Sequence, residues 1–205
     1  MAGVNDASVI MFERFSLLAV ASALTTVLVL PAAGASQAPG PAASPPDQLP
    51  AEILQASQPM QQYALGYSYE KGLYRELDYS KAAYWYQQAA DQGFARAQYR
   101  LALLYMLGHL NARDPEQAEQ LFRSAALQGY SPAQFDLAAY HMGLNPKQQK
   151  DLAESYAWFS IVAEHGGDDA VNARQFLQHL AGQLNGNDLA RARQLQSSYE
   201  KQISP

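Results

Sequence analysis

Apolar and small residues recur along the chain at a helical spacing, and the same pattern returns after 36 positions. Leu65 and Tyr69 lie four residues apart and therefore share one helix face, and Leu101 and Tyr105 repeat this pair. The same shift aligns further pairs: Gly72 with Gly108, Asp78 with Asp114, Ala82 with Ala118, Tyr86 with Phe122, and Gly93 with Gly129. Such a period predicts one helix–loop–helix unit per copy, stacked on its neighbours.

Glycine, aspartate and proline mark the helix ends within each unit. Gly72 and Gly108 are placed to end the first helix in the left-handed conformation. Asp78 and Asp114 are placed to cap the second helix, and Pro115 occupies a tolerated first-turn position. Small and aromatic residues form the predicted buried stripe of the second helix: Ala82, Trp85, Tyr86, Ala89 and Ala90.

A third copy follows with a change of register. Leu137 and Ala138 keep the spacing of 36, whereas Asp151 and Phe159 lie 37 residues after their counterparts. Gly66 shares one column with Ala102 and Ala138, and small residues there let helix backbones approach closely. Large aromatic residues fill the gap between units, so we expect Trp85→Ala to unfold or strongly weaken the array.

These residues resemble the Sel-one-like repeat, a tetratricopeptide-type α-solenoid family, over about residues 58–170. Leu65-Gly66 and Trp85-Tyr86 match the family pattern, whereas Tyr74 and Leu110 replace its second loop glycine and leave the loop conformation open. The resemblance implies an all-α, right-handed α-solenoid of about three helix–loop–helix repeats with C-terminal capping helices. Residues 169–184 and 188–203 are predicted to form two closing helices around a turn at 185–187.

The first fifty residues lie outside the repeats. An uncharged apolar run, 15–30, follows Arg14 and precedes a small-residue site, Ala33-Gly34-Ala35, which together are typical of a secretory signal peptide. We expect cleavage after Ala35, and an uncleaved membrane anchor is the alternative. Either Met1 or Met11 could be the start. The predicted organisation is a signal peptide over 1–35, a Pro/Ala-rich linker over 36–50, the repeat solenoid over 51–184 and a capping helix over 185–205.

Composition excludes several classes of function. The chain contains no cysteine, which excludes a disulfide scaffold, an iron–sulfur cluster, a zinc-thiolate site and a cysteine nucleophile. Its net charge of −5 argues against nonspecific nucleic-acid binding, because that binding depends on displacing counterions from phosphates with basic side chains.

The four histidines do not form a catalytic or metal-binding pattern. His165 precedes a helix-ending glycine, and Asp168 or Asp169 is placed to cap the next helix. No histidine has a partner at metal-ligand spacing, and no phosphate-binding or dinucleotide-binding motif occurs. We therefore expect no catalytic, cofactor-binding or metal-binding residues and no bound cofactor.

A groove lined by the first helix of each unit is the predicted partner-binding site. Its candidate residues are the outward positions of those helices: Tyr63, Tyr67, Glu70, Tyr99, Arg100, Leu103, Met106, Phe135, Asp136 and Tyr140. Exposed Tyr, Arg and Met are enriched at protein interfaces. Tyr63, Tyr99 and Phe135 share one column, for which packing inside the repeat is the alternative interpretation.

The predicted function is that of an exported, noncatalytic adaptor of the bacterial envelope that binds a protein or peptide in this groove. Its location would be periplasmic or secreted, with membrane contact only through the signal peptide. An envelope enzyme, or a regulatory subunit, acting on cell wall or polysaccharide is the alternative, and convergence of Glu, Asp and His in one pocket would favour it. A component of a stator or secretion machine, tethered by residues 1–35, is a third possibility.

Overall fold

The computed structural model describes residues 57–110, 112–144 and 151–203, so the predicted signal peptide and linker lie outside the described residues. These residues form eight helices and no strands: α1 Gln58–Lys71, α2 Tyr79–Ala90, α3 Ala95–Leu107, α4 Pro115–Leu127, α5 Ser131–Ala139, α6 Leu152–His165, α7 Ala170–Ala181 and α8 Gly186–Ile203. The helices pack in chain order from α1 to α7 as a stack of antiparallel pairs, which confirms the predicted all-α solenoid.

The predicted helix ends are confirmed at the loop between the two helices of a unit. Gly72 and Gly108 end α1 and α3 with φ of 64° and 77°, in the left-handed region that a Cβ disfavours. The Asp78 carboxylate accepts a hydrogen bond from the Lys81 amide at the start of α2, and Asp114 does the same at α4. Local sequence therefore sets where each pair turns.

Glutamine side chains tie adjacent pairs together at repeated positions. Gln98 Nε2 donates to the Ala90 carbonyl at 3.3 Å, and Gln134 Nε2 donates to the Ala126 carbonyl at 3.0 Å. Both glutamines are buried, so these bonds satisfy polar groups that would otherwise be costly to enclose. The same kind of hydrogen bond therefore links the first repeat to the second and the second repeat to the third.

Small and aromatic residues fill the core as predicted, with one exception. Tyr86, Phe122 and Phe159 occupy one repeated position and are fully buried. Trp85 is only half-buried, whereas its third-repeat counterpart Trp158 is fully buried. Since Trp85 encloses less apolar surface, we now expect Trp85→Ala to cost less stability than Trp158→Ala in a thermal melt.

The register change of the third repeat coincides with a π-helical turn. Residues Tyr140–Leu144 form this turn directly after α5, and Gly143 ends it with a φ of 85°. Gly143 lies 35 residues after Gly108, whereas Asp151 lies 37 residues after Asp114, so the two additional residues fall between Gly143 and Asp151, directly after the turn. The Asp151 carboxylate then caps α6, accepting from the Glu154 amide as its counterparts do in earlier units.

The two helices after the third repeat take different positions. Helix α7 packs on α6 as the first helix of a further unit would, and Phe176 stacks on Phe159 at 4.8 Å. Of the two predicted capping residues, Asp169 occupies the N-cap of α7, but its side chain makes no capping hydrogen bond. Helix α8 instead lies across α6 and reaches α4. Within the described residues, no helix has the length and apolar character that crossing a bilayer requires.

Candidate partner-binding face

The predicted groove residues divide into two groups of five in the structure. Side chains on α1 and α3 that keep some exposure form the first group: Tyr63, Tyr67, Glu70, Arg100 and Met106. Buried side chains on α3, α5 and the following turn form the second group: Tyr99, Leu103, Phe135, Asp136 and Tyr140. Only the first group can present atoms to a partner without rearrangement of the fold.

The buried group corrects the expectation that these positions point outward. Leu103 belongs to the main hydrophobic core. The Asp136 carboxylate accepts a hydrogen bond from the Tyr99 hydroxyl at 2.9 Å, and both residues are about 95% enclosed or more. Tyr140 packs edge-on against the neighbouring His141 ring. The next helix pair covers these positions, which a helical wheel of a single helix does not reveal.

The aromatic column of Tyr63, Tyr99 and Phe135 serves packing, as the alternative interpretation proposed. Tyr99 contacts Phe122 and Tyr130 at ring distances of 5.7 and 5.3 Å. Phe135 and Tyr63 each contact the aromatic residue at the Phe122 position of their own unit. Tyr63 remains half-buried because it lies in the first described unit, which no earlier described helix pair covers.

Three of the predicted residues converge around one carboxylate at the junction of α1 and α3. Arg100 Nη1 lies 3.2 Å from Glu70 Oε1, and the Tyr86 hydroxyl donates to Glu70 Oε2 at 2.6 Å. The Arg100 guanidinium also lies 5.2 Å from the centre of the Tyr67 ring. Lys71 completes the group, with its ammonium 2.7 Å from Glu70 Oε1. We call Tyr67, Glu70, Lys71 and Arg100 the junction cluster.

Two members of the junction cluster are enclosed and the third charged member is accessible. The Glu70 and Arg100 side chains are 10% and 11% exposed, whereas Lys71 is 39% exposed. Although burial of the guanidinium opposes it, the Glu70 carboxylate raises the pKa of Arg100 above its ordinary value. Burial and the same carboxylate raise the pKa of the Tyr86 phenol. The cluster therefore carries one anion and two cations beside the Tyr67 ring, a net positive charge.

A second polar cluster, which the sequence did not predict, lies where α8 meets the second helices of the second and third repeats. Arg123 Nη1 donates to Glu154 Oε1 at 2.7 Å, and Arg123 Nη2 donates to Glu119 at 3.0 Å. The Tyr199 hydroxyl of α8 donates to the same Glu154 oxygen at 2.6 Å. His141 Nε2 lies 3.3 Å from Arg123 Nη2. We call these five residues the buried hub.

The electrostatics of the buried hub are those of a structural link. Burial alone would raise the pKa of Glu154, but hydrogen bonds from Tyr199 and Arg123 outweigh it and lower that pKa. Burial lowers the pKa of His141 against the opposing attraction of Glu154 and Glu119. The hub thus holds an ionised carboxylate bound to Arg123 and a neutral imidazole. It joins α4, α6 and α8 through one enclosed oxygen.

One local signal could have indicated the buried hub. Glu154 and Trp158 lie four residues apart on α6, and the Trp158 indole N–H lies 3.4 Å from Glu154 Oε1. Tyr199 and Arg123 reach that oxygen from 45 and 31 residues away, so their convergence depends on the tertiary fold. Among the residues that the structure describes, no group of three or more His, Asp or Glu is arranged to hold a metal ion.

Comparison with known proteins gives one sequence family and one fold. A sequence model of the Sel1 repeat matches residues 62–94, 95–130 and 131–167, just over half of the chain. A Sel1 repeat protein from Oxalobacter formigenes is 25% identical, with a TM-score of 0.53, over 86% of this chain and 59% of that chain. A protective antigen present in uropathogenic Escherichia coli strains, which displays an SLR fold, is 23% identical with a TM-score of 0.56. This second match covers 71% of this chain and 30% of that chain, so the chain spans less than two thirds of either structure. No curated protein matches the chain.

Proposed function

The chain belongs to the Sel1 repeat family, whose members are generally protein–protein interaction modules, and we propose that it acts as a noncatalytic adaptor of the cell envelope. Its partner is a protein or a peptide, and it binds to the face formed by the first helices of the first two repeats. The observation that carries this proposal is the junction cluster, in which Tyr67 lies beside two cations on a preorganised surface.

Rigidity favours binding at this face. Arg100 and Glu70 hold each other across two helices, so the neighbouring Tyr67 ring needs little ordering when a partner arrives. Tyrosine and arginine are also the residue types that contribute most binding energy at interfaces. A partner segment with a carboxylate beside an apolar group would complement the net charge of the cluster.

The envelope enzyme remains the second candidate, because Glu119, Glu154 and His141 do converge in the buried hub. The noncatalytic function is better supported, since the Glu154 side chain is 9% exposed and already accepts two strong hydrogen bonds. A general acid or base needs direct contact with substrate, and this carboxylate faces other helices.

Export is part of the proposal and is supported by the apolar run 15–30 with its small-residue site. Mass spectrometry of the protein purified from its natural host should give an N-terminus at Ser36, from the cleaved chain. An intact chain in the membrane fraction would instead support the tethered alternative.

Substitution of Tyr67 tests the binding face. The partner is first identified by cross-linking in the exporting cell. We expect Tyr67→Ala to weaken the binding of this partner at least about tenfold in a titration with purified components. Tyr74→Ala is the matched control, because Tyr74 is 72% exposed and lies in the loop after α1. Equal weakening by both variants, or by neither, would refute the assignment of this face.

A further inference from the structure

The three repeats provide an internal comparison for the outward face of their second helices. In the third repeat, four residues on this face of α6 are enclosed because α8 lies across them: Glu154, Ala157, Trp158 and Ile161. Their counterparts on α4 are Gln117, Gln120, Leu121 and Ser124, a mostly polar set with Gln120 and Ser124 exposed. The α6 face that α8 covers is thus mostly apolar, whereas the α4 face, which α8 only partly reaches, is mostly polar.

Helix α2 departs from this pattern. Its four counterparts are Lys81, Tyr84, Trp85 and Gln88, so two aromatic residues occupy the centre of a face that no described helix packs across. Tyr84 is 58% exposed, and its ring meets the half-buried Trp85 ring edge-on at 5.2 Å. We call Lys81, Tyr84, Trp85 and Gln88 the α2 patch. Exposed aromatic residues at the position that another helix covers elsewhere in the molecule indicate a docking surface.

The contact between α8 and α6 shows what covers this position. The Tyr199 ring of α8 stacks on Trp158 at 4.3 Å with an angle of 12° between the planes. Apolar and small residues follow one face of α8 on either side of Tyr199, and Ala192 among them is fully buried. An amphipathic helix with a tyrosine one turn before its C-terminal end thus fits the outward face of a second helix in this fold.

The charge next to the tryptophan differs between the two sites. At α6 the Tyr199 hydroxyl donates to Glu154, whereas the counterpart of Glu154 in the α2 patch is Lys81. A phenolic hydroxyl can also accept a hydrogen bond, and an ammonium group donates one. The Lys81 ammonium lies 3.5 Å from Asp78 Oδ2 and 5.4 Å from the centre of the Tyr69 ring, and its side chain is 62% exposed. A tyrosine on an incoming helix would therefore meet Lys81 from the solvent side, with the direction of the hydrogen bond reversed.

The α2 patch is also continuous with the covered surface. Helix α8 already reaches from α6 to α4. Leu121 of α4 packs against both hydrophobic clusters, so it lies between the Trp158 and Trp85 sides of the stack. Among the residues that the structure describes, α8 is engaged at Trp158 and no helix packs across the outward face of α2, so the equivalent position there is open to a helix of different origin.

We propose that the α2 patch binds an amphipathic helix of another protein, which stacks a tyrosine ring on Trp85 and places the hydroxyl oxygen against the Lys81 ammonium. This surface is separate from the junction cluster, because it lies on a second helix rather than on α1 and α3. The two sites would let one chain hold two proteins together, and failure of either proposal leaves the other intact.

A fluorescent peptide that copies residues 186–203 is the probe, because this helix makes the corresponding contact with Trp158. Its anisotropy is measured during titration with the full chain. The matched variant carries Tyr84→Gln and Trp85→Leu, which installs the residues of the second repeat at the same positions and so preserves a sequence compatible with the fold. We expect this variant to bind at least about tenfold more weakly with an unchanged melting temperature. A peptide with Tyr199→Ala should lose affinity to the same extent.

Four results would overturn the proposal. The first is no binding at up to about 1 mM chain. The second is equal binding to the matched variant, which would place the peptide at Trp158 instead. The third is a concentration-dependent dimer, in sedimentation, that the matched variant abolishes, because a second copy would then be the occupant. The fourth is at least about tenfold tighter probe binding after deletion of residues 1–56, because these residues would then cover the patch themselves.

Discussion

At the scale of single residues, Gly66 and Tyr86 depend on each other. A Cβ at Gly66 would lie 2.6 Å from Tyr86 Cδ1 and 3.1 Å from the Ala82 carbonyl oxygen. The counterparts of Tyr86 in later repeats are phenylalanines, which coexist with alanine at the Gly66 position. Tyr86 needs the additional space because its hydroxyl reaches Glu70. The glycine is therefore a requirement of the junction cluster.

We expect Gly66→Ala to lower the free energy of unfolding by about 1–3 kcal/mol, because the Tyr86 ring must move from its packed position. Denaturant unfolding measures the change. Gly186→Ala is the control, since a Cβ there meets no atom within 4 Å. If both variants unfold at the same denaturant concentration, the close contact described here is wrong.

Tyr74 adopts a backbone conformation that suits glycine. Its φ is 63°, in the loop position where the family pattern has glycine. A left-handed conformation costs a residue with a Cβ about 1–2 kcal/mol, and glycine relieves this cost. The larger flexibility of glycine in the unfolded chain offsets part of the relief. We expect Tyr74→Gly to stabilise the protein by about 0.5–1 kcal/mol in a thermal melt. Leu73→Gly, one residue earlier, should destabilise it, and a stabilising effect of similar size there would contradict the argument.

Asp136 makes stability depend on pH. Burial raises the pKa of this carboxyl from 3.8 to about 7, although the Tyr99 hydrogen bond opposes the shift. A carboxyl with a raised pKa in the folded state contributes stability that is fully present below its ordinary pKa and is lost as pH rises to about 7. Ionisation in an enclosed site is the physical cause of this loss.

Asp136→Asn should therefore stabilise the protein relative to wild type at pH 8, by more than about 1 kcal/mol, and much less at pH 4. Asparagine keeps an oxygen that accepts the Tyr99 hydrogen bond but cannot ionise. Chemical denaturation between pH 4 and 8 measures the difference, with the exposed Asp91→Asn as control. A constant difference across this range would show that Asp136 does not carry the dependence.

At the scale of helices, α8 acts as a strap across the outer side of the third repeat. Tyr199 stacks on Trp158, and Arg191 makes two hydrogen bonds with the Asp151 carboxylate at 2.7 and 3.0 Å.

We expect Tyr199→Ala to lower the free energy of unfolding by about 2–3 kcal/mol, because it exposes Trp158 and removes a hydrogen bond from Glu154. Arg193→Ala, on the exposed side of α8, should stay within about 0.5 kcal/mol of wild type. Urea unfolding followed by tryptophan fluorescence measures both changes. A similar decrease in the free energy of unfolding for both variants would contradict the claim that α8 stabilises the third repeat through Tyr199.

Helix boundaries were predictable from the sequence, whereas the placement of α8 was not. The helix ends depend on the backbone of one residue and on the next few residues, so the local sequence is enough to predict them. This holds for Gly72, Gly108, Asp78 and Asp114. The position of α8 depends on Tyr199 meeting a carboxylate 45 residues earlier in the chain. Contacts of that range leave no periodic signal.

At the scale of the whole molecule, long-range contacts also explain why only half of the predicted binding-face residues keep some exposure. Repeat periodicity identifies the first helices but does not determine which of their outward residues the next unit covers. Tyr67 and Arg100 remain partly accessible, whereas Leu103, the counterpart of Tyr67 in the second repeat, is enclosed. Among the described residues the first unit has a neighbouring unit on one side only, so accessible side chains concentrate there.

The central claim is that the stack binds its partner through the first helices of the first two repeats. Hydrogen–deuterium exchange of the full chain, with and without the identified partner, tests it most directly, because a bound surface opens less often. We expect slower exchange in α1 and α3, centred on Tyr67 and Arg100, and little change in α5. Slower exchange confined to other helices, with α1 and α3 unaffected, would contradict the account.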